Sequence, residues 1–466
     1  MRANEFGAYA CALWLSKTGT QLRQVRSRLL ASLQPYLTRQ GSGRISLLLA
    51  LTALCGAPQS ALAADAVTTW SLVITKDASG FDPHFATLMH AAMHDALNAI
   101  TPRYARWTAA APGEPPAADA APEAAVAAAA HGVLVGLQPD RTARAETALD
   151  AALAAVPDGP RKAAGVALGK AIAAATLAHR AADGEAPLTP YTQSNEPGHW
   201  RATPPDPRAR PPFARFRPFS GAAVLDTPVP SPPELGSPAY LAVVWEVRSL
   251  GRDTSRERSE TQTAAALFFA RQSSHLNLVS LAARLLAERP APQDIWDSAR
   301  TMTLLSIALS DSFIVTVAAK ERFHFWRPIT AIREGGFGVN PESDWQPLVS
   351  TPEHPEHPSA HATECAAGAT VLRLLFGTDA QPVSFIATDV PWRPVREYPG
   401  FTALANECAA SRVWAGVHFR TANDAGQRIG EAVANHVVGS LLRPLPENER
   451  RTSRTTTRAA NATHGS

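Results

Sequence analysis

Three short motifs in the second half of the chain most constrain its fold, because their side chains can act together only if distant segments meet. The motifs read KERFHFWRP, HPSAH and SRVWAGVH. Their polar side chains are three cations, one hydroxyl and two imidazoles, namely Lys320, Arg327, Arg412, Ser359, His361 and His418. Arg offers planar bidentate donors, Lys a point charge and Ser one more hydrogen bond. The set predicts a pocket for a phosphate-like oxyanion, with one imidazole as ligand or nucleophile and the other exchanging protons.

The lysine usage supports a specific role for Lys320. The chain contains 44 Lys and Arg residues, of which 5 are Lys. From residue 171 to the end, Lys320 is the only lysine in the sequence. Because Arg is the usual cation of this chain, a lysine inside the first motif indicates a function that Arg would not serve equally well.

The order and spacing of the motifs resemble those of the vanadium-dependent haloperoxidase and type 2 phosphatidic acid phosphatase superfamily. The pattern is Lys-x6-Arg-Pro, then Pro-Ser-x-His, then Ser-Arg-x5-His. HFWRPITAIREG, DWQPLVSTPEHPEHPSAHA and the upstream HAAMHDALNAI are most similar to the soluble bacterial haloperoxidase branch. The resemblance covers roughly residues 69 to 440, and three motifs in this order are far more specific than one.

The resemblance implies a role for each matching residue. His418 would coordinate vanadium as the metal ligand, and His361 would be the acid–base histidine that helps to deprotonate hydrogen peroxide. The vanadate oxygens would be bound by Lys320, Arg327, Ser359, the backbone N–H of Ala360, and Arg412. His354 matches the extra histidine of bromoperoxidases and would tune the halide preference. The implied cofactor is vanadate, and the implied substrates are a halide and hydrogen peroxide.

Three other functions remain open from the sequence. The same pocket would serve a soluble acid phosphatase that hydrolyses phosphomonoesters, with His418 as the phosphohistidine nucleophile and His361 protonating the leaving alcohol. An oxyanion-binding protein without turnover would need the cations but not His361. The set His354, His357 and His361 also suggests a zinc hydrolase, although prolines interrupt the set and zinc would not need the surrounding cations.

Two positions depart from the family pattern. Ala360 stands where glycine is usual, which keeps the N–H group but adds a methyl group near the anion. Ala422 stands where an aspartate often orients the last histidine, and Asp424 is the candidate to replace it. If Asp424 does not replace it, His418 lacks an orienting partner and activity would be reduced.

Hydrophobic periodicity predicts an all-α fold built from helical bundles. Helices are expected over residues 82–100, 124–183 (with breaks at Pro-containing turns), 239–251, 256–288, 293–325, 359–376, 401–410 and from the third motif to about 442. Residues 68–75 are expected to form an ordered arm, and 329–358 and 377–400 are expected to be loops.

Two spacings predict how the motif side chains meet. Lys320 and Arg327 are seven residues apart, or two helical turns, and are expected to point the same way. Arg412 and His418 are six residues apart and do not share a helix face, so a bend near Gly416 is expected to bring them together.

A second histidine pair lies upstream. His90 and His94 are four residues apart on the helix predicted over residues 82–100, which is the spacing of a zinc pair. The glutamate of an HExxH motif is absent and no third ligand is evident, so buried structural histidines are the favoured interpretation.

The N-terminal region has the pattern of a secretory signal. Residues 45–57, ISLLLALTALCGA, follow two arginines and precede Ala61-Leu62-Ala63, with cleavage expected after Ala63 and a short membrane anchor as the alternative. The protein is therefore expected to be exported, to the periplasm or the medium. Its two remaining cysteines, Cys365 and Cys408, would either form a disulfide or stay as buried thiols.

The charge distribution argues against a nucleic-acid partner. The chain has a formal charge of +3, and residues 1–63 hold 7 Lys and Arg and 1 acidic residue, a net of +6 that leaves −3 for the rest. No stretch after residue 63 approaches 18 apolar residues, which predicts no membrane span in the mature chain. A homodimer is compatible with the sequence.

The predicted organisation has four parts. A signal region spans residues 1–63, and an N-terminal helical part with Ala-rich helices and a Pro-rich wrapping loop spans 64–238. The catalytic bundle with the oxyanion pocket spans 239–442, and a disordered tail spans 443–466.

Overall fold

The computed structural model describes residues 64–75, 83–110, 114–115, 117–183, 193–204, 216–270, 273–289, 294–387 and 394–447. The predicted signal region and most of the predicted tail lie outside these residues. The four-part organisation therefore stays a prediction.

The described chain is mostly helical, which confirms the predicted all-α fold class. The helices are α1 (Ala66–Thr75), α2 (Pro83–Ile100), α3 (Pro122–Leu137), α4 (Thr142–Ala154), α5 (Pro160–His179), α6 (Pro238–Leu250), α7 (Glu260–Ala270), α8 (Ser274–Ala287), α9 (Ile295–Phe323), α10 (Pro328–Glu334), α11 (Ala360–Phe376), α12 (Phe401–Trp414) and α13 (Arg420–Ser440). Between α11 and α12, strand β1 (Val383–Ile386) pairs antiparallel with β2 (Val395–Tyr398), with Val383 opposite Tyr398.

Local chemistry sets many of the helix boundaries. Ser237, Ser273 and Asp294 accept backbone N–H bonds as the N-caps of α6, α8 and α9. Proline occupies the first turn of α3, α5, α6 and α10, where its missing N–H costs nothing. Left-handed residues follow the last turns of α9 and α11, namely His324 (φ 49°) and Gly377 (φ 71°).

Several predicted boundaries are wrong. The arm predicted over residues 68–75 is helical, and the helix predicted over 256–288 is divided into α7 and α8. The loops predicted over 329–358 and 377–400 contain α10 and the two strands, and the helix predicted over 401–410 continues to 414. The missed elements are four to seven residues long, which is too short for periodicity to reveal.

Helix α13 packs so closely against α11 that their backbones are in contact. A Cβ atom on Gly430 would lie 2.2 Å from the carbonyl oxygen of Thr363, and one on Gly426 would lie 2.6 Å from that of Ser359. Only glycine permits this approach. The contact fixes the N-terminal end of α11, where Ser359 lies, against α13.

Helix α9 runs through the core. By length and composition it could cross a membrane, contrary to the expectation that no stretch would meet this criterion, but 78% of its most apolar window is buried inside the protein. Among the described residues it is the one helix that meets the criterion. Its end is covered by the Pro-rich segment, where Trp200 N–H donates to the His324 carbonyl (2.6 Å) and Trp326 N–H to that of Gly198 (2.9 Å).

Helices α11 and α12 are joined covalently. Cys365 and Cys408 form a disulfide, which decides between the two alternatives that the sequence left open. Cys365 lies one turn after His361 on α11, and Cys408 lies one turn before Arg412 on α12. The bond therefore ties the second motif to the third.

Replacing both cysteines with alanine is expected to destabilise the fold. The bond closes a sequence separation of 43 residues, for which the chain-entropy relation gives about 4 kcal/mol. Guanidinium unfolding of the double variant, compared with oxidised and with reduced wild type, measures the difference. The reduced wild type should match the variant, and equal stability of all three would contradict the expectation.

Glu364 is expected to weaken the fold as pH rises. It is buried on α11, with its Oε1 atom 4.0 Å from Nδ1 of His275, and burial raises its pKa from 4.5 to about 8. Between these values the unfolded chain releases a proton that the folded chain keeps, so stability falls as pH increases through this window.

Glu364→Gln removes this titration with little change in shape. Its gain in Tm over wild type should therefore be larger at pH 8 than at pH 5, as measured by scanning calorimetry. Glu431→Gln, on the exposed side of α13, is the matched control. An equal Tm difference at both pH values would show that Glu364 does not titrate in this range.

Candidate active site

The first motif supplies its two cations from different elements. Lys320 lies in the last turn of α9, and Arg327 is the residue before α10. The two residues do not lie on one continuous helix, because left-handed His324 ends α9 between them and the residue before a proline avoids helical backbone. Both side chains are nonetheless fully buried.

Lys320 orders the loop that precedes the second motif. Its Nζ atom donates to the carbonyl oxygens of Pro355 (2.7 Å) and Glu356 (3.0 Å). Two of its three N–H groups are used in this way. Burial, reinforced by the Arg327 charge, lowers the pKa of Lys320 well below its usual value.

Arg327 joins the second motif to the third. Its Nε atom donates to the carbonyl of His354 (3.0 Å), and its Nη1 atom donates to that of Val417 (2.6 Å). The same Nη1 atom lies 3.1 Å from Nε2 of His418. Burial lowers the pKa of Arg327 to about 9, so it remains a cation at neutral pH.

The other histidines of the second motif face different partners. A ring nitrogen of His354 lies 3.0 Å from Nη2 of Arg327, which places this residue in the site, although its halide-tuning role stays a prediction. The Nε2 atom of His357 donates to the carbonyl of Pro230 (2.7 Å). Within the described part of the chain, His354, His357 and His361 do not form a group of three side chains that could hold a metal ion.

A bend at Gly416 brings Arg412 and His418 together, as predicted. Gly416 has φ of 78°, and a Cβ there would lie 2.4 Å from the carbonyl oxygen of Gly251, so glycine is required. After the bend, His418 N–H donates to the Arg412 carbonyl (3.3 Å). Burial, followed by the charge of Arg327, lowers the pKa of His418 well below 6.5, so its ring is neutral.

Glu356 is the site residue that the sequence motifs did not identify. Its Oε1 atom lies 2.9 Å from Nδ1 of His418 and accepts the backbone N–H of Phe419 (2.8 Å). Asp424, the candidate orienting partner, is exposed on α13 beside Arg420, whose charge acts on it. The sequence feature that could have identified Glu356 is its position between two histidines in HPEHPSAH.

The N-terminal end of α11 carries the second motif. Ser359 precedes the helix, is fully buried and donates its backbone N–H to the carbonyl of Ala422 (3.0 Å). Its hydroxyl does not cap the helix and has no partner within the described residues. Ala360 is the first helical residue, so its N–H belongs to the turn whose donors lack intrahelical acceptors.

His361 lies in the first turn of α11 and is partly exposed. One ring nitrogen bonds the backbone of Phe269, while Nε2 has no partner in the described structure. Burial, followed by the charge of Arg412, lowers the pKa of His361 well below 6.5. The ring is therefore neutral and can accept a proton.

Arg412 is a buried cation with unused donors. It is 3% exposed, and its Nε and Nη1 atoms have no partner among the described residues. Burial lowers its pKa to about 10, and its charge acts on Arg327, His361 and His418. An unpaired buried polar group costs about 1–3 kcal/mol, and more if charged.

These unpartnered groups fit a tetrahedral oxyanion. Within the described structure, Arg412 Nε and Nη1 and the Ser359 hydroxyl are donors without acceptors, and the first-turn N–H groups of α11 lack intrahelical acceptors. The charge of Glu356 acts on only two of the three buried cations, Lys320 and Arg327. Phosphate or vanadate would supply both the acceptor oxygens and the missing negative charge. The residues present therefore fit either group.

The upstream histidines have structural partners. His90 lies between the hydroxyls of Ser71 (2.9 Å) and Ser306 (2.7 Å), which links α1, α2 and α9. His94 contacts Asp95 and Asn98 on its own helix. Both are fully buried, as the favoured interpretation predicted.

Comparison with known proteins confirms the predicted resemblance to vanadium haloperoxidases. Residues 300–445 match a family model described as the VCPO second helical-bundle domain, and this range contains all three motifs. A vanadium chloroperoxidase from Curvularia inaequalis is 26% identical over 227 residues. That alignment covers 36% of this chain and 37% of the relative, so it spans well under half of either protein.

Solved structures share the fold along most of the chain. A bacterial vanadium-dependent iodoperoxidase superposes with a TM-score of 0.64 at 21% identity, covering 82% of this chain and 97% of that one. The holo-type bacterial vanadium-dependent chloroperoxidase gives a TM-score of 0.56 at 19% identity, covering 81% and 93%. The chain thus has the helical-bundle fold of vanadium haloperoxidases.

Removing the unpaired cation should stabilise the protein while abolishing anion binding. Arg412→Met is expected to raise the free energy of unfolding in anion-free buffer by about 1–3 kcal/mol, because it removes an uncompensated buried charge. Added orthovanadate or phosphate should then no longer raise Tm, as it should in wild type. Arg428→Met, on the exposed side of α13, is the control and should retain the anion effect. A less stable, anion-responsive Arg412→Met would contradict this account of the pocket.

Proposed function

We propose that this protein is a vanadium-dependent haloperoxidase that oxidises a halide with hydrogen peroxide. One observation carries the proposal: buried donors of Arg412 and Ser359 have no acceptor among the described residues, and the neutral ring of His418, on which the charge of Arg412 acts, pairs through Nδ1 with Glu356. A neutral imidazole with a bound Nδ1 proton presents its Nε2 lone pair to a metal centre. The resemblance to vanadium haloperoxidases supports vanadate as that centre.

Different residues would bind the oxyanion and transfer the proton. Lys320, Arg327, Ser359, Ala360 and Arg412 would hold the vanadate oxygens, and His418 would ligate the metal. When bound, vanadate supplies the Lewis acidity that activates hydrogen peroxide towards a halide. His361 would accept the proton that hydrogen peroxide loses, because its ring is neutral and its Nε2 atom has no partner within the described structure.

The runner-up is an acid phosphatase that uses the same pocket. The donors that fit vanadate also fit phosphate, and because Nδ1 of His418 pairs with Glu356, Nε2 would be the phosphohistidine nucleophile. This reaction needs His361 to protonate the leaving alcohol, whereas burial and Arg412 favour its neutral form. The haloperoxidase is therefore the first proposal.

We further propose that the protein is exported. The signal-like pattern before residue 64 and the Cys365–Cys408 disulfide both support an oxidising compartment, in which disulfides persist.

Assays of the metal-stripped protein with and without orthovanadate test the proposed activity. One arm follows bromide- and peroxide-dependent halogenation, and the other follows hydrolysis of a phosphomonoester. The expected result is vanadate-dependent bromination that His418→Ala abolishes and that His436→Ala, near the C-terminal end of α13, retains. Phosphoester hydrolysis that vanadate inhibits, without bromination, would establish the phosphatase instead. Absence of activity in both assays would indicate an oxyanion-binding protein without turnover.

A further inference from the structure

We propose that Glu356 is the positioning residue of this site, in place of the absent aspartate, and that it holds His418 in the tautomer with a lone pair on Nε2, the nitrogen assigned to the oxyanion. The inference rests on the proposed function, because it assigns His418 as the ligand or nucleophile. Glu356 itself does not touch the anion in this account.

The contacts of the two ring nitrogens of His418 indicate the same tautomer. Arg327 has only N–H donors, so its Nη1 atom 3.1 Å from Nε2 must meet a lone pair there. Glu356 Oε1, 2.9 Å from Nδ1, already accepts the Phe419 N–H and attracts a second donor. The proton therefore lies on Nδ1. With the other tautomer, Arg327 would face an N–H group, and Oε1 would face a lone pair.

Backbone hydrogen bonds fix the position of Glu356. The backbone N–H of Glu356 donates to the Phe325 carbonyl (2.9 Å), and its own carbonyl accepts from Lys320 (3.0 Å). The residue is fully buried. Its side chain is thus aimed at His418 by bonds on both sides of its Cα atom, and these bonds come from the first motif.

The same contacts connect the three motifs around one residue. Lys320 of the first motif binds the Glu356 backbone, Glu356 directly precedes the second motif, and His418 of the third motif binds its side chain. Ala422 uses its carbonyl to accept Ser359 N–H, and the methyl side chain at this position offers the imidazole no acceptor. Glu356 thereby supplies from another segment the oxygen that an aspartate would supply at position 422.

The ring tautomer can be measured without any activity. Long-range ¹H–¹⁵N spectra of protein labelled with ¹⁵N-histidine distinguish Nδ1–H from Nε2–H rings, and the signal lost in His418→Gln identifies residue 418. Titration calorimetry with orthovanadate, and separately with inorganic phosphate, gives the affinity of the pocket. The variants are Glu356→Ala, Glu356→Gln and the control Asp424→Asn.

The wild-type ring is expected to be neutral and protonated on Nδ1. Glu356→Ala should mix the tautomers and weaken anion binding by roughly 10- to 100-fold, the usual effect of losing a partner that orients a ligand. Glu356→Gln should keep the tautomer, because its amide oxygen can accept the same two N–H groups. Asp424→Asn should match wild type in both measurements.

Three outcomes would overturn the inference. They are an Nε2–H ring in the wild-type protein, a wild-type tautomer and affinity in Glu356→Ala, and loss of the tautomer in Asp424→Asn. If Glu356→Ala does not fold, the His418 tautomer in the wild-type and Glu356→Gln spectra still tests the inference. A wild-type protein with the expected tautomer that binds neither anion would refute the proposed function and leave the effect of Glu356 on His418 standing.

Discussion

Uncompensated positive charge inside the protein is the constraint on which the site depends. Lys320, Arg327 and Arg412 are almost completely buried, and Glu356 is the acidic residue whose charge acts on the first two. Buried charges are tolerated only when paired or hydrogen bonded. Lys320 and Arg327 are satisfied by carbonyl oxygens of the 354–356 loop and of Val417, whereas Nε and Nη1 of Arg412 have no partner among the described residues. This shortage of acceptors and of negative charge predicts that the pocket binds an anion.

Helix ends, rather than helix faces, place the functional groups. Lys320 lies at the end of α9, Arg327 precedes α10, and Ser359 precedes α11. Arg412 lies at the end of α12, and His418 follows the turn at Gly416. Backbone groups at such ends lack partners within their own helix and are free to bind side chains and ligands. The carbonyl groups that Lys320 and Arg327 bind lie outside the helices, in the 354–356 loop and at Val417.

Much of the site could be predicted from the sequence, because the motifs combine residue types that have few other reasons to occur together. Lys320, Arg327, Ser359, His361, Arg412 and His418 were identified in this way, and so was the bend at Gly416. The role of Glu356 could not be derived, since it depends on a contact with a residue 62 positions later in the chain. The spacing of Lys320 and Arg327 did not reveal that they lie on different elements, because this depends on the single left-handed residue His324 that ends α9 between them. Helix α10 and the two strands were missed because short elements draw their stability from tertiary packing.

The site has a further consequence for how the molecule folds. Its groups come from segments up to 98 residues apart in the chain, so a fragment shorter than this span cannot contain all of them. An oxyanion that binds only the assembled pocket shifts the folding equilibrium towards the native state by mass action. Ambient phosphate or vanadate would then favour maturation of the newly made chain before any catalytic turnover, acting as a folding ligand as well as an occupant of the site.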